Sequence, residues 1–372
     1  MSEFAVVTGG AGLVGSHIVD LLLEKGIRVK IVDSLHPQTH PNGKPKWVPK
    51  DAEFNQVDVR DLDGLINVVR GASYVFHQAS FGGFTAEKSE YFDVNVTGTA
   101  RLFEAIEVTG TSPRSVVVAT SQAIFGELQY LDLETGTVIQ PGLRPLKDLQ
   151  NSIWEHKSPT RKNLVPLPAR EDLSCQGITP YALSKIGQEA ASIGFGKSLN
   201  IPVACIRYGV TYGPRQSLSN PYTGVISIFS NRVRNGKPPL IYEDGSQTRD
   251  FVFVRDQALL NVKLALDCNY STLVINSGTG FGTSMLSLAQ LISRQLNGPE
   301  PLISKQFRPG DARHFFHSVD RLKSLGHVNA TDLETGLEEY YQWLETQPVQ
   351  EDNFEVSQLE LKKAGVLLDF GV

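Results

Sequence analysis

Short apolar runs, rich in β-branched residues, alternate with helix-length amphipathic segments from the start of the chain. The pattern predicts strands over residues 4–8, 28–32, 74–77 and 115–119, and a helix over residues 13–24. Regular alternation of strands and helices is typical of βαβ units, whose strands are parallel. The first part of the chain is therefore predicted to form a parallel sheet.

Two of the later runs are apolar throughout: VVVAT at 116–120 and VACIR at 203–207. Strands with one face in water alternate between apolar and polar residues, whereas strands covered on both faces do not. We therefore expect these runs inside a sheet with helices on both faces. The predicted fold class is α/β, with a doubly wound parallel sheet of the Rossmann type.

A glycine-rich turn, TGGAGLVG at 8–15, follows the first predicted strand and begins the first predicted helix. Glycines allow the backbone to approach a pyrophosphate closely, and the helix N-terminus offers free N–H donors to it. Asp33 ends the next strand, where a carboxylate accepts hydrogen bonds from ribose hydroxyls and repels a 2′-phosphate. The predicted cofactor is NAD rather than NADP, bound by Gly9, Gly12, Leu13, Val14, Gly15 and Asp33.

Further candidates for the cofactor site are Asp58 and Val59, in the segment VDVRD, and Ala79 after the strand at 74–77. Asp58 either accepts a hydrogen bond from the adenine amino group or caps the end of a strand. Both alternatives remain open at the level of sequence.

A second motif, YALSK at 181–185, places Tyr181 and Lys185 four residues apart, so that both lie on one face of a helix. A free phenol has a pKa of about 10, and a neighbouring ammonium favours the phenolate that a general base requires. Ser121 lies at the carboxyl end of a buried strand, where open α/β sheets bind ligands. It either supports a reacting oxygen or caps a turn. We predict a catalytic set of Ser121, Tyr181 and Lys185.

After Tyr208 the pattern becomes irregular, and helices resume near 256–266, 285–296 and 332–345. We predict a smaller, interleaved α/β substrate-binding domain in this part of the chain. The predicted NAD-binding domain comprises 1–207 with 254–278 returning to it, and the substrate-binding domain comprises 208–253 and 279–372. Two long interruptions, 36–50 and 127–178, are expected to be lids or binding loops.

The overall charge is moderate, with 35 basic and 40 acidic residues and a net charge of −5. No basic excess indicates binding to nucleic acid or to an anionic membrane. The three cysteines, Cys175, Cys205 and Cys268, show no metal-binding spacing, so we expect free thiols, no metal and a cytoplasmic location. No apolar stretch approaches the roughly 20 residues that span a bilayer, and we expect no signal peptide.

Together these motifs resemble those of the extended short-chain dehydrogenase/reductases that act on nucleotide sugars, which include UDP-galactose 4-epimerases and dTDP-L-rhamnose 4-epimerases. The resemblance extends from Val6 to about Leu325. It is carried by TGGAGLVGS at 8–16, DVNVTGT at 93–99, ATSQAIFG at 119–126, YALSK at 181–185, YGPRQ at 212–216, TRDFVFVRD at 248–256 and RPGDAR at 308–313.

The resemblance implies that Tyr181 is the acid/base, that Ser121 is catalytic, and that Tyr181 and Lys185 also contact the cofactor. It implies that Arg249 and Arg308 bind a substrate diphosphate, and that Asp311 faces the nucleoside ribose. For each arginine the alternative is a surface salt bridge. Further substrate-binding candidates are Asn220 and Tyr242; Tyr242 lies against the base or packs in a core. A homodimer is implied, joined by helices that begin near Tyr91 and Tyr181.

One position departs from the family pattern. Relatives carry Asn in an RYxNxYG segment, and this chain has Val210 there, which cannot make the amide hydrogen bond. The leading hypothesis is an NAD-dependent epimerase of a dTDP- or UDP-hexose, acting at C4 through a transient ketone. The alternatives are a sugar 4,6-dehydratase, an NAD-dependent sugar dehydrogenase or reductase, and a non-catalytic NAD-binding regulator.

Overall fold

A parallel sheet of seven strands organises the described part of the chain. The strands are β1 (Phe4–Thr8), β2 (Arg28–Val32), β3 (Glu53–Asn55), β4 (Tyr74–His77), β5 (Ser115–Ser121), β6 (Val203–Tyr208) and β7 (Thr272–Ser277). They lie in the order β7-β6-β5-β4-β1-β2-β3, and every neighbouring pair is parallel. The strand order reverses between β1 and β4, and open sheets bind ligands at such a switch point. The predicted doubly wound fold is confirmed.

This computed structural model describes residues 3–83, 87–158, 164–218, 220 and 224–370. Within these ranges the helices of eight or more residues are α1 (Leu13–Glu24), α2 (Leu62–Val69), α3 (Gly98–Val108), α4 (Pro180–Leu199), α5 (Val225–Arg234), α6 (Val254–Asp267), α7 (Met285–Gln295), α8 (Leu333–Glu345) and α9 (Phe354–Lys363). None of the helices in these ranges is long and apolar enough to cross a membrane.

Both faces of the sheet are covered, which explains why its inner strands are apolar throughout. In β1, Ala5 and Val7 pack toward the core that contains residues of α1 and α6. Val6 points the other way, into the core that contains residues of α2 and α3. Successive side chains of a strand alternate between the two faces, so each face of β1 needs apolar residues.

A second apolar core lies outside the sheet. Helices α5, α7 and α8 contribute to it and surround the parallel pair Val210–Tyr212 and Phe251–Phe253. The remaining short strand pairs are Leu240–Ile241 with Leu302–Ile303, Thr248–Arg249 with Thr283–Ser284, and Gln306–Phe307 with Leu368–Asp369. The shorter helical segments are Glu90–Phe92, Asp93–Thr97 (a π-helix), Gln122–Phe125 (a 3₁₀-helix), Leu146–Gln150 and Asp320–Ser324.

The long interruption at 127–178 has secondary structure of its own. Tyr130–Leu131 pairs in antiparallel fashion with both Val138–Ile139 and Val165–Pro166. Leu128 and Tyr130 are fully buried in a cluster that includes Phe315. In its described part this segment, expected to be a lid or loop, is therefore a packed insertion.

Candidate active site

The glycine-rich turn leaves no room for a side chain at Gly9 or at Gly15. Gly9 has a φ of +65°, and a Cβ atom there would lie 2.7 Å from the backbone nitrogen of Ala79. A Cβ atom on Gly15 would lie 2.2 Å from the carbonyl oxygen of Gly9. The turn therefore brings β1 and α1 into direct backbone contact, and α1 begins at Leu13 immediately after it.

A cavity of about 460 Å³ opens beside this turn. The structure brings to its lining all the predicted cofactor-site and catalytic residues: Gly9, Gly12, Leu13, Val14, Gly15, Asp33, Asp58, Val59, Ala79, Ser121, Tyr181 and Lys185. They come from the carboxyl ends of the strands and the loops that follow them, from the first turn of α1 and from the first two turns of α4. Residues distant in sequence thus meet at the switch point of the sheet.

Asp33 is fixed at the edge of this cavity. Its carboxylate accepts hydrogen bonds from the backbone N–H groups of Ala11 (3.0 Å) and Leu35 (2.9 Å). His40 Nε2 lies 3.9 Å from Asp33 Oδ1. Burial lowers the pKa of His40, and Asp33 opposes this shift. The loop that carries His40 is anchored to the turn, because Trp47 Nε1 donates to the carbonyl oxygen of Ala11 at 2.9 Å.

Asp58 also lines the cavity, with its carboxylate bound to the next arginine. Arg60 donates to it from Nε at 2.9 Å, from Nη2 at 2.7 Å and from its backbone N–H at 2.9 Å. The hydrogen bond from the Arg60 side chain is the main reason that the pKa of Asp58 is lowered. One oxygen therefore caps the local turn, and a contact with adenine stays a prediction.

Tyr181 and Ser121 meet at the centre of the site. Ser121 ends β5, and Tyr181 lies in the first turn of α4, whose start is capped by the Thr179 side chain accepting from Ala182 N. Burial raises the pKa of the Tyr181 phenol, a hydrogen bond with Ser121 lowers it, and Tyr91 raises it. The sequence predicts a lowered pKa, but burial dominates and the net shift is upward.

Lys185 lies one helical turn after Tyr181 and is almost fully buried. Its ammonium donates to the carbonyl oxygen of Ala119 at 3.0 Å and to Gln188 Oε1 at 2.8 Å. Burial lowers its pKa to about 7. Lys185 Nζ lies 6.0 Å from the centroid of the Tyr181 ring.

A chain of buried hydrogen bonds connects Lys185 to the glycine-rich turn, and sequence reasoning did not find it. Gln188 Nε2 donates to Thr99 Oγ1 at 3.2 Å, and His77 lies between Thr99 (2.9 Å) and Thr8 (2.7 Å). Because Thr99 donates its own proton to Asn95 O, His77 Nε2 carries the hydrogen and Nδ1 accepts from Thr8. Burial lowers the pKa of His77 to about 3, so the ring is neutral.

Four of the predicted substrate residues form two pairs, and none of the four belongs to the cavity lining described above. Arg249 Nη2 donates to Asp311 Oδ1 at 2.7 Å and to the carbonyl oxygen of Ala312 at 2.8 Å. The guanidinium of Arg308 lies over the ring of Tyr242, 4.8 Å from its centroid. Asn220 is buried, and its neighbours 219 and 221–223 lie outside the described residues. The structure thus pairs Arg249 with Asp311, two residues that the sequence assigned to different parts of a ligand.

Near these pairs lies a buried charge network that the sequence analysis did not predict. Arg313 is fully buried and binds Glu155, Glu243 and Asp244. Arg144 also binds Glu243, at 2.8 Å. The only sequence signal for the network was the position of Arg313 at the end of the RPGDAR motif.

The fold and the site define a class: a dinucleotide-binding α/β enzyme with a Ser-Tyr-Lys set at the carboxyl edge of its sheet. The pattern that describes the NAD dependent epimerase/dehydratase family matches residues 5–145 and 161–274. The chain therefore belongs to the NAD-dependent epimerase/dehydratase family. The predictions of the family, of an enzyme and of NAD as the cofactor are confirmed.

Two similar proteins match nearly the whole length of the chain. The chain is 32% identical to a dTDP-L-rhamnose 4-epimerase of Burkholderia thailandensis, over 91% of this chain and 94% of that protein. It is 31% identical to a putative UDP-glucose 4-epimerase of Methanocaldococcus jannaschii, over 91% and 97% of the two chains.

Solved structures give the same result for the fold. A UDP-glucose 4-epimerase of Thermotoga maritima with UDP-glucose matches with a TM-score of 0.74 and 26% identity, over 92% of this chain and 98% of that one. A UDP-glucose 4-epimerase of Thermus thermophilus in complex with NAD matches with a TM-score of 0.69 and 28% identity, over 92% and 99%.

Proposed function

We propose that this protein is an NAD-dependent epimerase that inverts C4 of a nucleotide-diphosphate hexose, a dTDP- or UDP-sugar. The observation that carries the proposal is that Ser121, Tyr181 and Lys185 line the same cavity as the glycine-rich turn and Asp33. Cofactor-binding and proton-transfer groups therefore face one volume. The names of the similar proteins, several of which are nucleotide-sugar 4-epimerases, support this substrate class.

The residues around the turn fit NAD. The first residues of α1, Leu13, Val14 and Gly15, line the cavity, so the free N–H groups of this helix end can bind a pyrophosphate. Gly9 and Gly15 are packed too closely to carry a side chain that would obstruct the turn. Asp33 would hold the adenosine ribose. When bound, NAD supplies a hydride acceptor that returns the hydride to either face of a ketone.

The proton chemistry is assigned to the chain's own residues. Tyr181 would take the proton of the sugar C4 hydroxyl and return it, and Ser121, which already hydrogen-bonds to the phenol, would hold the same oxygen. Burial raises the pKa of Tyr181, and to the protonated form of Lys185 we assign the role of favouring the phenolate. The hydrogen bonds of Lys185 to Ala119 O and Gln188 hold that charge in place.

The residues after Ser121 favour epimerisation over dehydration. A 4,6-dehydratase needs an acid and a base to eliminate water across C5 and C6, and Gln122 and Ala123 provide neither. Glu155 is no substitute, because Arg313 and His314 bind both of its oxygens. Glu134 is exposed, on the turn between the paired strands Tyr130–Leu131 and Val138–Ile139. Among these residues, none is therefore available as the acid or the base that would eliminate water from the ketone.

On the substrate side, we propose that Arg249 and Arg308 bind the diphosphate, that Asp311 contacts the nucleoside ribose, and that Tyr242 lies against the base. Asn220 completes the proposed set. A diphosphate that reaches Arg249 would compete with Asp311 for its guanidinium. Val210 lines the cofactor cavity, so the position that is Asn in relatives offers an apolar surface here.

At the level of the whole chain, we propose a cytoplasmic homodimer with two functional domains. Exposed apolar side chains on the proposed dimer helices, Phe92 and Leu183, support the dimer. The return of α6 and β7 to the sheet supports an NAD-binding domain of 1–207 with 254–278. The separate core around α5, α7 and α8 supports a substrate-binding domain of 208–253 and 279–372.

A panel of UDP- and dTDP-hexoses, incubated with the enzyme and NAD and followed by ¹H NMR, tests the proposal. We expect at least one sugar to convert to its C4 epimer without net formation of NADH. Stoichiometric NADH, or no reaction with any member of a panel that includes glucose, galactose, their N-acetylamino forms and rhamnose, would contradict it.

A further inference from the structure

The insertion contains a segment that lies outside the family pattern and contacts the proposed nucleotide site. Residues 146–160 fall between the two stretches that the family pattern matches. Trp154, from this segment, packs against Phe307, with ring centroids 6.2 Å apart. The next residue, Glu155, reaches the segment from Asp311 to His314.

Glu155 uses both carboxylate oxygens on this segment. Oε1 accepts a hydrogen bond from Arg313 Nε at 2.8 Å, and Oε2 lies 3.0 Å from His314 Nε2. Burial raises the pKa of Glu155, but the hydrogen bonds from His314 and Arg313 outweigh it and lower the pKa to about 2. Glu155 is therefore an anion throughout the neutral pH range.

Arg144, also in the insertion, holds the same segment from a second direction. Its Nη2 donates to the backbone carbonyl oxygen of Asp311 at 2.8 Å and to Glu243 Oε1 at 2.8 Å. Glu243 in turn accepts from Arg313 Nη1 at 2.8 Å. Arg313 also binds Asp244, and Glu155 is the carboxylate that contacts both Arg313 and His314. Loss of Glu155 therefore removes one partner from a fully buried guanidinium and the carboxylate partner from the residue after it, which weakens the hold on this segment.

The segment held in this way determines where Arg249 points. Besides the Asp311 carboxylate, Arg249 donates to the carbonyl oxygens of Ala312 at 2.8 Å and Arg313 at 3.3 Å. Three consecutive residues, 311–313, therefore orient this guanidinium, together with the carbonyl oxygen of Thr248, to which Arg249 Nη1 donates at 2.8 Å. A shift of their backbone would move both Arg249 and Asp311.

We propose that Glu155 is a positioning residue for the nucleotide end of the substrate: through Arg313 and His314 it fixes residues 311–314, which orient Arg249 and Asp311. The inference rests on the proposed function, in which Arg249 and Asp311 contact the substrate diphosphate and ribose. It gives the insertion a role in substrate affinity that is separate from the chemistry at Tyr181.

The test compares Glu155→Gln with Asp148→Asn, a matched loss of one carboxylate at a half-exposed position in the same insertion. The probes are UDP and dTDP, titrated into each protein by calorimetry, and NAD is titrated separately. We expect Glu155→Gln to weaken the binding of the nucleotide that the wild type binds more tightly, with a rise in Kd of at least about tenfold, because small misplacements of binding groups have large effects. NAD affinity should stay within about twofold, and with an active sugar KM should rise while kcat changes little.

Three outcomes decide the matter. If the wild-type protein binds neither UDP nor dTDP, the proposed function falls and the inference falls with it. If the wild type binds one of them and the Glu155→Gln and Asp148→Asn variants have the same affinity for it, the inference is wrong and the proposed function stands. If circular dichroism shows that Glu155→Gln is unfolded, His314→Gln takes its place; it removes one partner of Glu155, and unchanged nucleotide affinity there would equally refute the inference.

Discussion

At the scale of single residues, the proposed chemistry depends most on the Tyr181 phenol. We expect Tyr181→Phe to keep its fold and its NAD affinity but to lose at least about 100-fold in kcat, the usual contribution of one general acid/base. Tyr270→Phe is the matched control, because Tyr270 donates to the Leu264 carbonyl on a helix behind the sheet. A Tyr181→Phe enzyme within a few-fold of the wild type would show that Tyr181 is structural.

Asp33 gives a second prediction at this scale. We expect the protein to bind NAD more tightly than NADP, because the carboxylate, held by Ala11 N and Leu35 N, would lie against the 2′-phosphate. Asp33→Asn should reduce the difference in affinity between NAD and NADP, because it removes the negative charge that repels the 2′-phosphate. Calorimetry with both dinucleotides measures it, and equal or tighter binding of NADP by the wild type would refute the assignment.

The residues that sequence could predict are those whose role depends on local context. Gly9, Gly15 and Asp33 follow a strand, a turn and a second strand in fixed order, and Tyr181 and Lys185 share a helix face. Arg313 and Glu155 are separated by more than a hundred residues, and only the folded chain brings them together. Their pairing leaves no periodic pattern in either segment. The sequence therefore indicates that an insertion is present, but not which residues it contacts.

At the scale of secondary-structure elements, the junction between β1 and α1 is the most constrained. A Cβ atom on Gly15 would meet the Gly9 carbonyl oxygen at 2.2 Å, a backbone atom that cannot move without opening the turn. We expect Gly15→Ala to abolish measurable NAD binding and to lower the melting temperature.

Gly194→Ala, in the exposed part of α4, is the control for this prediction, since a Cβ atom there would have no neighbour within 4 Å. It should leave NAD binding intact and stabilise the helix by up to about 1 kcal/mol. Equal NAD affinity in Gly15→Ala and the wild type would show that the close contact between Gly15 and the Gly9 carbonyl oxygen is not required for NAD binding.

The elements themselves followed from periodicity where they are regular. The strands at 4–8, 28–32 and 74–77 and the helices of the later part were predicted within a few residues. The small sheet of the insertion was missed, because two-residue strands carry no alternation that a sequence pattern can reveal. The π-helix at Asp93–Thr97 was missed for a different reason: one turn of different pitch leaves the apolar spacing almost unchanged.

At the scale of the whole molecule, we predict a homodimer through α4 and the helix that contains Phe92. Leu183 is 46% exposed and Phe92 is 40% exposed, and a second copy would remove such side chains from water. Light scattering at micromolar concentration should give twice the chain mass, and Leu183→Glu should shift it toward the monomer. A monomeric mass for the wild type would refute the prediction.

In the proposed reaction one hydride leaves C4 of a nucleotide sugar and returns to the opposite face of the C4 ketone. Hydrogen that is carried as a hydride does not exchange with water, and Gln122 and Ala123 offer no base for the C5 proton. The most direct measurement is the reaction of an active sugar in D₂O, followed by NMR. We expect the C4 epimer with its original hydrogen at both C4 and C5. Deuterium at C5, or accumulation of a 4-keto-6-deoxy sugar, would contradict it and favour a dehydratase.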